Sequence, residues 1–262
     1  MERRRIMPNL DTIPAQFHSL LAGAAVYDSS SSPAARVLFI DKEGGFFLKS
    51  AAAGSLQKEA VMTDYFYRKG LSARVLAYET QEQDWLLTQA LPGRDCLDPA
   101  YLSEPERLCD ITAELLRRLH ETDYHDCPVQ NRTGERLALA RKNYETGNFD
   151  RSLFPDNWGY TSPEDAMAVL EDMGGELKSD CLLHGDYCLP NILLENWRFA
   201  GFIDVAAGGV GDRHMDLHWG IWSLWFNLKT DQFRDRFLDA YGREMVDEEL
   251  LRTVEAIEAL GA

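Results

Sequence analysis

The chain has 262 residues, of which 45% are hydrophobic and 11% aromatic, so it can bury a sizeable core in one domain or two lobes. Its formal net charge is -16, which argues against a nucleic-acid partner, because nucleic-acid phosphates bind basic surfaces. The same charge is consistent either with a cationic partner or with solubility alone.

The cysteines and the apolar runs are typical of a cytoplasmic protein. There are five cysteines, an odd number without a CxxC pair, which indicates neither a disulfide framework nor a zinc site. The basic stretch Met1 to Arg5 is not followed by a long apolar segment, and no apolar run is long enough to span a bilayer. We therefore expect reduced thiols in a soluble, cytoplasmic monomer or weak dimer with no membrane partner.

The first part of the chain predicts a small antiparallel sheet. Five short strands are expected at 24–27, 35–41, 45–50, 74–79 and 84–89, separated by turn signals. One turn, Ser29 to Pro33, is rich in serine, and its small residues, Ser32 among them, would let backbone amides and hydroxyls approach phosphate groups. A plain surface hairpin is the simpler interpretation of the same turn.

Lys49 is the one cation in the run 46–49, which otherwise suits a buried strand. A buried amine needs an anionic partner, and Glu59 offers one from the helix predicted over 56–69. A strand lysine paired with a glutamate of the next helix is also how protein kinases hold nucleotide phosphates. The alternative is an edge-strand lysine whose amine reaches solvent.

Beyond residue 90 the chain is predicted to be mostly helical. The strand pattern breaks at Ala90 to Arg94. Helices are predicted over 104–120, 135–147 and 163–173. The last two enclose an acidic and aromatic loop at 148–160. The later segment 216–228 is so rich in large apolar residues that we expect most of them in the core.

The segment 181–216 carries the residues suited to chemistry. Asp186 follows an apolar run, Asn191 comes five residues later, and Asp204 closes a second apolar run. Two short strands, ending at about His184 and Ile203, would bring the three side chains to one edge. A carboxylate can orient a hydroxyl and accept its proton, while an amide oxygen and a second carboxylate are hard ligands for Mg²⁺. An HGD tripeptide alone would indicate only a turn with an Asp cap, but the whole pattern predicts phosphoryl transfer.

These residues resemble a known family. The sequences HGDYCLPNILL, GFID and GVGDRHMDL, with LRRLHETDYHDCPV and DRFLDAYG, are similar to the aminoglycoside 3'-phosphotransferases, which resemble protein kinases in fold. The resemblance covers nearly the whole chain and implies a two-lobed α+β, protein-kinase-like fold. Residues 1–91 would form an N-lobe with a five-stranded antiparallel sheet and one helix that binds the nucleotide. Residues 92–262 would form a mostly helical C-lobe with the catalytic residues and the acceptor site.

The resemblance also implies roles for individual residues. Asp186 would be the catalytic aspartate, and Asn191 and Asp204 would hold Mg²⁺. Lys49 would bind the phosphates of ATP, and Glu59 would orient Lys49. The other implied residues are Ser32, Gln89, Leu91 and Ile203 at the nucleotide, Asp150, Asp156 and Glu258 at the acceptor, and Asp216 as a brace for the catalytic loop. Gln89 and Leu91 would face the adenine through their backbone groups.

The implied reaction is transfer of the γ-phosphoryl group of ATP to a hydroxyl of a cationic aminoglycoside, with the 3'-hydroxyl as the expected position, giving antibiotic resistance. The positions of two arginines typical of the family correspond to Ala207 and Trp222, and only Glu258 remains of its acidic chain end. These departures leave two alternatives: a kinase for another small hydroxylated acceptor, or a nucleotide-binding pseudoenzyme. The complete set of catalytic residues argues against the pseudoenzyme.

Overall fold

The computed structural model describes residues 4–154 and 159–261. The chain folds into two compact units. The first contains the residues up to Gly93 together with Leu193–Ala206, and the second contains Arg94–Ile192 together with the chain from Ala207 onward. The segment Leu193–Ala206, which the sequence analysis places in the C-lobe, therefore lies in the first unit.

Hydrogen bonds at Phe202 join this returning segment to the rest of the first unit. The N–H of Phe202 donates to the carbonyl oxygen of Leu71 at 2.7 Å, and the hydroxyl of Ser72 donates to the carbonyl oxygen of Phe202 at 2.8 Å. Such long-range backbone pairing has no local pattern in the sequence. The division of roles between a nucleotide-binding lobe and a catalytic lobe stays a prediction.

The first unit is built on a six-stranded sheet. Its strands are β1 (Arg4–Ile6), β2 (Ala25–Asp28), β3 (Ala35–Asp41), β4 (Phe46–Ala52), β5 (Val75–Thr80) and β6 (Gln83–Gln89). Neighbours are antiparallel in the order β1-β2-β3-β4-β6-β5. The five predicted strands are confirmed, but the count of five is wrong, because β1 adds an edge strand. The sequence does not predict β1, since Arg4 and Arg5 give it no apolar pattern.

Different elements cover the two faces of this sheet. One face carries a cluster formed by Ile13, Phe17, Leu21, Val26, Leu38, Ile40, Leu48, Trp85 and Leu87. Leu21 of this cluster lies on a short helix, α1 (His18–Leu21). The predicted helix, α2 (Gln57–Arg68), packs on the other face, where Ala60 lies against Leu86. Side chains alternate along a strand, so Lys49, which pairs with Leu86, faces α2.

The remaining strands are short: β7 (Arg94–Asp95), β8 (Cys181–Leu183), β9 (Ile192–Glu195), β10 (Arg198–Phe202) and β11 (Gly209–Gly211). In the second unit β8 pairs antiparallel with β11. Strands β9 and β10 form a hairpin whose turn residues, Asn196 and Trp197, have φ angles of 52° and 66°. Positive φ at both positions is what a tight two-residue hairpin turn requires. The two short strands predicted to precede Asp186 and Asp204 are confirmed as β8 and β10.

The second unit is mostly helical. Its helices are α3 (Pro99–Leu102), α4 (Pro105–His120), α5 (Arg132–Thr146), α6 (Pro163–Met173), α7 (Arg213–Leu228), α8 (Arg234–Tyr241) and α9 (Glu248–Ala259). A core cluster joins α5, α6 and α9 to β8, with Leu170, Leu183 and Ile257 fully buried. The strand that leads into Asp186 is thus anchored in a well-packed region. No helix of the described chain is both long and apolar enough to cross a membrane.

Helix α7 corrects one expectation from the sequence. Leu217 and Leu224 are buried in the core as predicted, but Trp225 is 50% exposed and Phe226 is 46% exposed. The expectation that most of the large apolar residues of 216–228 lie in the core is wrong, because Trp219, Ile221 and Trp222 are also only partly buried. Residues seven positions apart share one face of a helix, so Leu217 and Leu224 meet the core together while Trp225 and Phe226 lie on other faces.

All five cysteines are buried and none is in a disulfide. The prediction of buried, unpaired thiols is confirmed. Burial raises the pKa of the Cys109 thiol to about 12. Burial also raises the pKa of Cys96 and Cys188 far above the usual thiol range. These thiols therefore stay protonated at neutral pH.

Candidate active site

Lys49 lies at the centre of an ion cluster in the first unit. Its Nζ is 2.6 Å from Glu59 Oε2 and 3.4 Å from Asp204 Oδ1. Burial alone would lower the pKa of Lys49, but the carboxylates of Asp204 and Glu59 outweigh this and raise it, so the amine stays charged. The predicted Lys49–Glu59 pair is confirmed. The alternative of a solvent-reaching edge-strand lysine is wrong, because β4 is an inner strand and the Lys49 side chain is only 20% exposed.

Asp204 adopts an unusual backbone conformation two residues after β10. Its φ angle is 59°, in the left-handed region, which costs a residue other than glycine on the order of 1 kcal/mol. Its carboxylate is 53% exposed even though it contacts Lys49. The neighbouring Ile203 is also 39% exposed despite its apolar side chain. Strain of this kind is commonly kept where a side chain must be presented to a ligand.

In the second unit the loop after β8 pairs Asp186 with Asn191. Asn191 Nδ2 donates to Asp186 Oδ2 at 2.8 Å and to the Asp186 carbonyl oxygen at 3.0 Å. Because a carboxylate can only accept hydrogen bonds, the amide nitrogen of Asn191 must face Asp186. The amide oxygen, Asn191 Oδ1, is then the atom left to act as a ligand. The short helical turn Leu189–Asn191 produces this arrangement.

Asp216 holds the backbone of this loop in place. Its carboxylate accepts from the N–H of His184 at 2.7 Å and from the N–H of Gly185 at 2.8 Å. His120 Nε2 lies 3.3 Å from the same carboxylate, and the Asp216 side chain is fully buried. The predicted bracing role of Asp216 is confirmed.

Gly185 fits its position because it has no side chain. Its φ angle is 84°, and a Cβ added there would clash with the carbonyl group of Ala207. Only glycine readily combines this backbone conformation with such a close approach of another backbone segment. The loop carrying Asp186 is therefore packed directly on the backbone at Ala207.

The donor atoms of Asn191 and Asp204 fit Mg²⁺ in their chemistry. Both offer hard oxygen atoms, one from an amide and one from an exposed carboxylate. Across residues 4–154 and 159–261, no group of three His, Cys, Asp or Glu side chains forms a metal site. Mg²⁺ is usually held by one or two protein oxygens together with substrate phosphates and water, so a complete protein cage is not required.

The other residues predicted to contact the nucleotide, Ser32, Gln89 and Leu91, lie in the first unit. Ser32 is exposed in the turn between β2 and β3, where its Oγ accepts from the N–H of Ala34 at 3.3 Å. Gln89 is the last residue of β6. Leu91 packs closely on Gly201, because a Cβ added to Gly201 would lie 2.6 Å from Leu91 Cδ1. The roles of Ser32, Gln89 and Leu91 at the nucleotide stay predictions.

Two of the acceptor-side predictions, Asp150 and Asp156, come from the segment 148–160 of the sequence. Asp150 is exposed and begins a short helical turn, where its Oδ1 accepts from the N–H of Ser152 at 2.8 Å and from the Ser152 hydroxyl at 2.7 Å. Asp156 lies outside the described residues. The contacts of Asp150 are those of a local cap, and its role at the acceptor stays a prediction.

Among the described residues predicted at the acceptor, Glu258 is the one whose pKa is affected by the charge of Asp186. It sits on α9, and its Oε1 is 2.9 Å from Arg136 Nη2 of α5. Burial raises the pKa of Glu258 to about 7, against the opposing charge of Arg136, and the negative charge of Asp186 adds to the rise. Glu258 is therefore partly protonated near neutral pH, and its charge is already balanced by an arginine.

The sequence analysis did not find two residues that support the site. Arg136 lies 122 positions from its partner Glu258. Ser223 accepts a hydrogen bond from the N–H of Leu189 at 2.9 Å, which fixes the loop after Asp186 to α7. Contacts over such separations leave no local spacing signal. The sequence shows only that Glu258 stands between the apolar residues Ile257 and Ala259, and a charge that is buried with such neighbours needs a partner.

Comparisons with known proteins agree with this geometry. Residues 28–254 match the profile of the phosphotransferase enzyme family. The chain is 46% identical over 254 residues to a probable aminoglycoside 3'-phosphotransferase from Lactococcus lactis, and the match covers 97% of each chain. Its structure resembles that of an aminoglycoside phosphotransferase from Streptomyces rimosus in complex with ADP and streptomycin, with a TM-score of 0.70 and 22% identity over 98% of this chain and 100% of that one.

A second solved structure, an aminoglycoside 3'-phosphotransferase of type VIII, gives a TM-score of 0.69 at 23% identity and covers 99% of this chain and 94% of that one. The predicted fold class and the predicted family are thus both confirmed. The chain belongs to the phosphotransferase enzyme family and has its protein-kinase-like fold, with a small antiparallel sheet and a mostly helical part.

Proposed function

We propose that the chain transfers the γ-phosphoryl group of ATP to a hydroxyl of an aminoglycoside antibiotic, with the 3'-hydroxyl as the expected position, and so provides resistance. The observation that carries this proposal is the Asp186–Asn191 pair held on Asp216. The 46% identity to a probable aminoglycoside 3'-phosphotransferase supports the acceptor class. The expected setting is the cytoplasm, with the protein as a monomer or weak dimer and no nucleic-acid partner.

Asp186 is the residue that acts on the acceptor. Its carboxylate orients the acceptor hydroxyl and takes its proton as the hydroxyl oxygen bonds to the γ-phosphorus. The bond from the γ-phosphorus to the bridging oxygen breaks at the same time, and ADP leaves with the electron pair. The hydrogen bond from Asn191 Nδ2 holds Asp186 Oδ2, so the acceptor hydroxyl would bind this carboxylate through Oδ1. Most of the rate enhancement then comes from positioning and charge neutralisation.

The first unit supplies the groups for the nucleotide. The charged amine of Lys49 would bind ATP phosphates, with Glu59 fixing its direction. Asn191 and Asp204 would hold Mg²⁺, which when bound neutralises the charge that develops on the phosphates. The backbone at Gln89 and Leu91 would face the adenine, and Ser32 and Ile203 would border the nucleotide.

A kinase for another small hydroxylated acceptor is the second candidate. It is favoured by the Arg136–Glu258 ion pair, because a carboxylate already balanced by an arginine attracts an ammonium group less strongly. Asp150 and Asp156 are then the two acidic candidates left for a cationic acceptor, and Ala207 and Trp222 stand where the family has arginines. The pseudoenzyme alternative is less consistent with the ordered Asp186–Asn191 pair.

The test is an assay of ADP release with ATP and Mg²⁺ against a panel of aminoglycosides, with Asp186→Ala as the blank. We expect release that depends on kanamycin or neomycin, is lost in the blank, and is abolished by a chelator and restored by added Mg²⁺. Product mapping by NMR would then give the phosphorylated position. Release with sugars or amino alcohols but with no aminoglycoside would instead establish the second candidate.

Replacing Lys49 with methionine is expected to lower kcat/KM for ATP by about 10²-fold, because a charged donor to the phosphates is lost. The fold should persist, since methionine keeps most of the apolar stem. Lys42→Met is the matched control: Lys42 Nζ donates to the Ser19 carbonyl oxygen at an exposed turn of the same sheet. Steady-state kinetics at varied ATP measures both variants, and equal kcat/KM in Lys49→Met and Lys42→Met would refute the role.

A further inference from the structure

The start of α2 is bound by a carboxylate from a strand of the sheet. Asp84 lies on β6 and is fully buried. Its Oδ1 accepts from the N–H of Gly54 at 2.9 Å, and its Oδ2 accepts from the N–H of Leu56 at 2.8 Å. Leu56 is the N-cap residue of α2, a position where Ser, Thr, Asp or Asn is usual, and its apolar side chain makes no capping hydrogen bond. Asp84 therefore fixes the entry into α2 from 28 positions away in the sequence.

The carboxylate of Asp84 is charged at neutral pH. Burial opposes ionisation, but the hydrogen bonds from the N–H groups of Gly54 and Leu56 outweigh it and lower the pKa of Asp84. The Tyr78 hydroxyl of β5 adds a hydrogen bond to Oδ2 at 3.0 Å. Hydrogen bonds to a charged acceptor are about twice as strong as those between neutral groups. The negative charge is also favourable beside the N-terminus of a helix. Both effects hold the start of α2 on β6.

The first turn of α2 carries Glu59, whose Oε2 lies 2.6 Å from Lys49 Nζ. In the next position Ala60 packs on Leu86 of β6. Apolar contacts of this kind keep the helix on the sheet, but they are not directional and do not fix its position along its axis. Hydrogen bonds depend on both distance and angle, so those to Asp84 do fix it. The position of Glu59 therefore depends on Asp84.

Asp84 and Lys49 are also joined through the sheet. They lie on adjacent antiparallel strands, β6 and β4, where Asp84 pairs with Ala51, two residues beyond Lys49. Residues two apart on a strand, and residues paired across two strands, share one face of a sheet, so both side chains face α2. The path from Asp84 through the start of α2 to Glu59 and Lys49 thus returns to Asp84 through the strand pairing. A change at Asp84 would move Glu59 relative to the strand that carries Lys49.

We propose that Asp84 is a positioning residue for the nucleotide, because by fixing the start of α2 it sets the place of Glu59 and so the direction of the Lys49 amine that binds the phosphates of ATP. This inference rests on the proposed function, in which Lys49 is the group that binds the phosphates. Asp84 is fully buried and acts only through the other two residues. Its loss should weaken the binding of the phosphates and leave the binding of adenine, which is expected at the backbone of Gln89 and Leu91, unchanged.

The test compares Asp84→Asn with Tyr78→Phe. Asparagine keeps the shape of aspartate, but its Nδ2 cannot accept, so the N–H of either Gly54 or Leu56 loses its acceptor. Tyr78→Phe is the matched control, because it removes a hydrogen bond to the same carboxylate and leaves both N–H groups bound. By calorimetry with Mg²⁺ we expect Asp84→Asn to raise the Kd of ATP about 10-fold and to change the Kd of adenosine less than about 2-fold. Tyr78→Phe should bind both ligands as wild type does.

A double-mutant cycle with Lys49→Met measures whether Asp84 acts through Lys49. In the wild-type background Asp84→Asn should lower kcat/KM for ATP about 10-fold, and in the Lys49→Met background it should lower it less than about 2-fold. The second effect is smaller because the amine that Asp84 positions is already absent. Effects of equal size in the two backgrounds would overturn the positioning role.

The affinities for ATP and adenosine separate positioning from general stability. If Asp84→Asn loses both affinities equally, as a misfolded variant would, Asp84 only stabilises the first unit and the positioning role is overturned. If Asp84→Asn binds ATP as tightly as wild type, the positioning role is also overturned, while the proposed function stands. If the wild-type protein does not bind ATP, the proposed function and the positioning role both fall.

Discussion

Asp186→Asn is expected to lower kcat by about 10²- to 10⁴-fold, because asparagine has the shape of aspartate but cannot accept the proton of the acceptor hydroxyl. The Asn191 amide can still donate to the new carbonyl oxygen, so the loop geometry should be retained. The measurement is single-turnover phosphoryl transfer with saturating ATP and acceptor. ATP affinity should change little, which separates this variant from Lys49→Met.

Asp239→Asn is a suitable control for this experiment. Asp239 is 66% exposed and pairs with Arg243 within α8 and the turn after it. An exposed pair of this kind contributes little to stability, so we expect wild-type turnover and melting temperature. Retention of more than about a tenth of kcat in Asp186→Asn would mean that proton acceptance at Asp186 contributes less than general-base catalysis usually does.

Asp216→Ala is expected to lower the free energy of unfolding by about 2–6 kcal/mol. The substitution leaves the N–H groups of His184 and Gly185 without their acceptor in a fully buried region, and each such group costs roughly 1–3 kcal/mol. A loss of this size is a large part of the 5–15 kcal/mol that is typical for a folded domain. Urea unfolding followed by circular dichroism measures it, and kcat should fall even where the variant is folded, because the loop carrying Asp186 is no longer braced.

The matched control is Asp180→Ala in the same unit. Asp180 is 43% exposed and lies 3.8 Å from Arg213, so its removal should change the free energy of unfolding by less than about 0.5 kcal/mol. If Asp216→Ala were as stable as Asp180→Ala, water would have to replace the two hydrogen bonds to the N–H groups of His184 and Gly185. The conclusion that Asp216 stabilises the loop would then be wrong.

The sequence predicts those parts of this molecule that depend on local patterns. Short runs separated by turn signals predicted five of the six strands, and the isolated cation in β4 predicted the Lys49–Glu59 pair. The spacing of Asp186 and Asn191 predicted a shared role, and the structure shows them bonded directly. In each case the signal lies within about a dozen residues, where backbone geometry fixes which side chains meet.

The features that the sequence did not predict depend on distant contacts. Strand β1 forms because its backbone can pair with the edge of β2, although two of its three residues, Arg4 and Arg5, are charged. The Arg136–Glu258 pair joins two helices that no spacing rule connects. The exposure of Phe226 could not be predicted either, because hydrophobicity alone does not tell a core face from a binding face.

The buried cysteines have a practical consequence for spectroscopy. All five thiols are inside the fold, and burial keeps them protonated, so a maleimide or nitroxide reagent has no thiolate to attack in the native protein. A single cysteine introduced at an exposed position, such as Arg68 on α2, could then carry a probe without removal of the native five. A spectroscopic probe on that cysteine would report ligand-dependent changes in the first unit of a protein whose interior is unchanged.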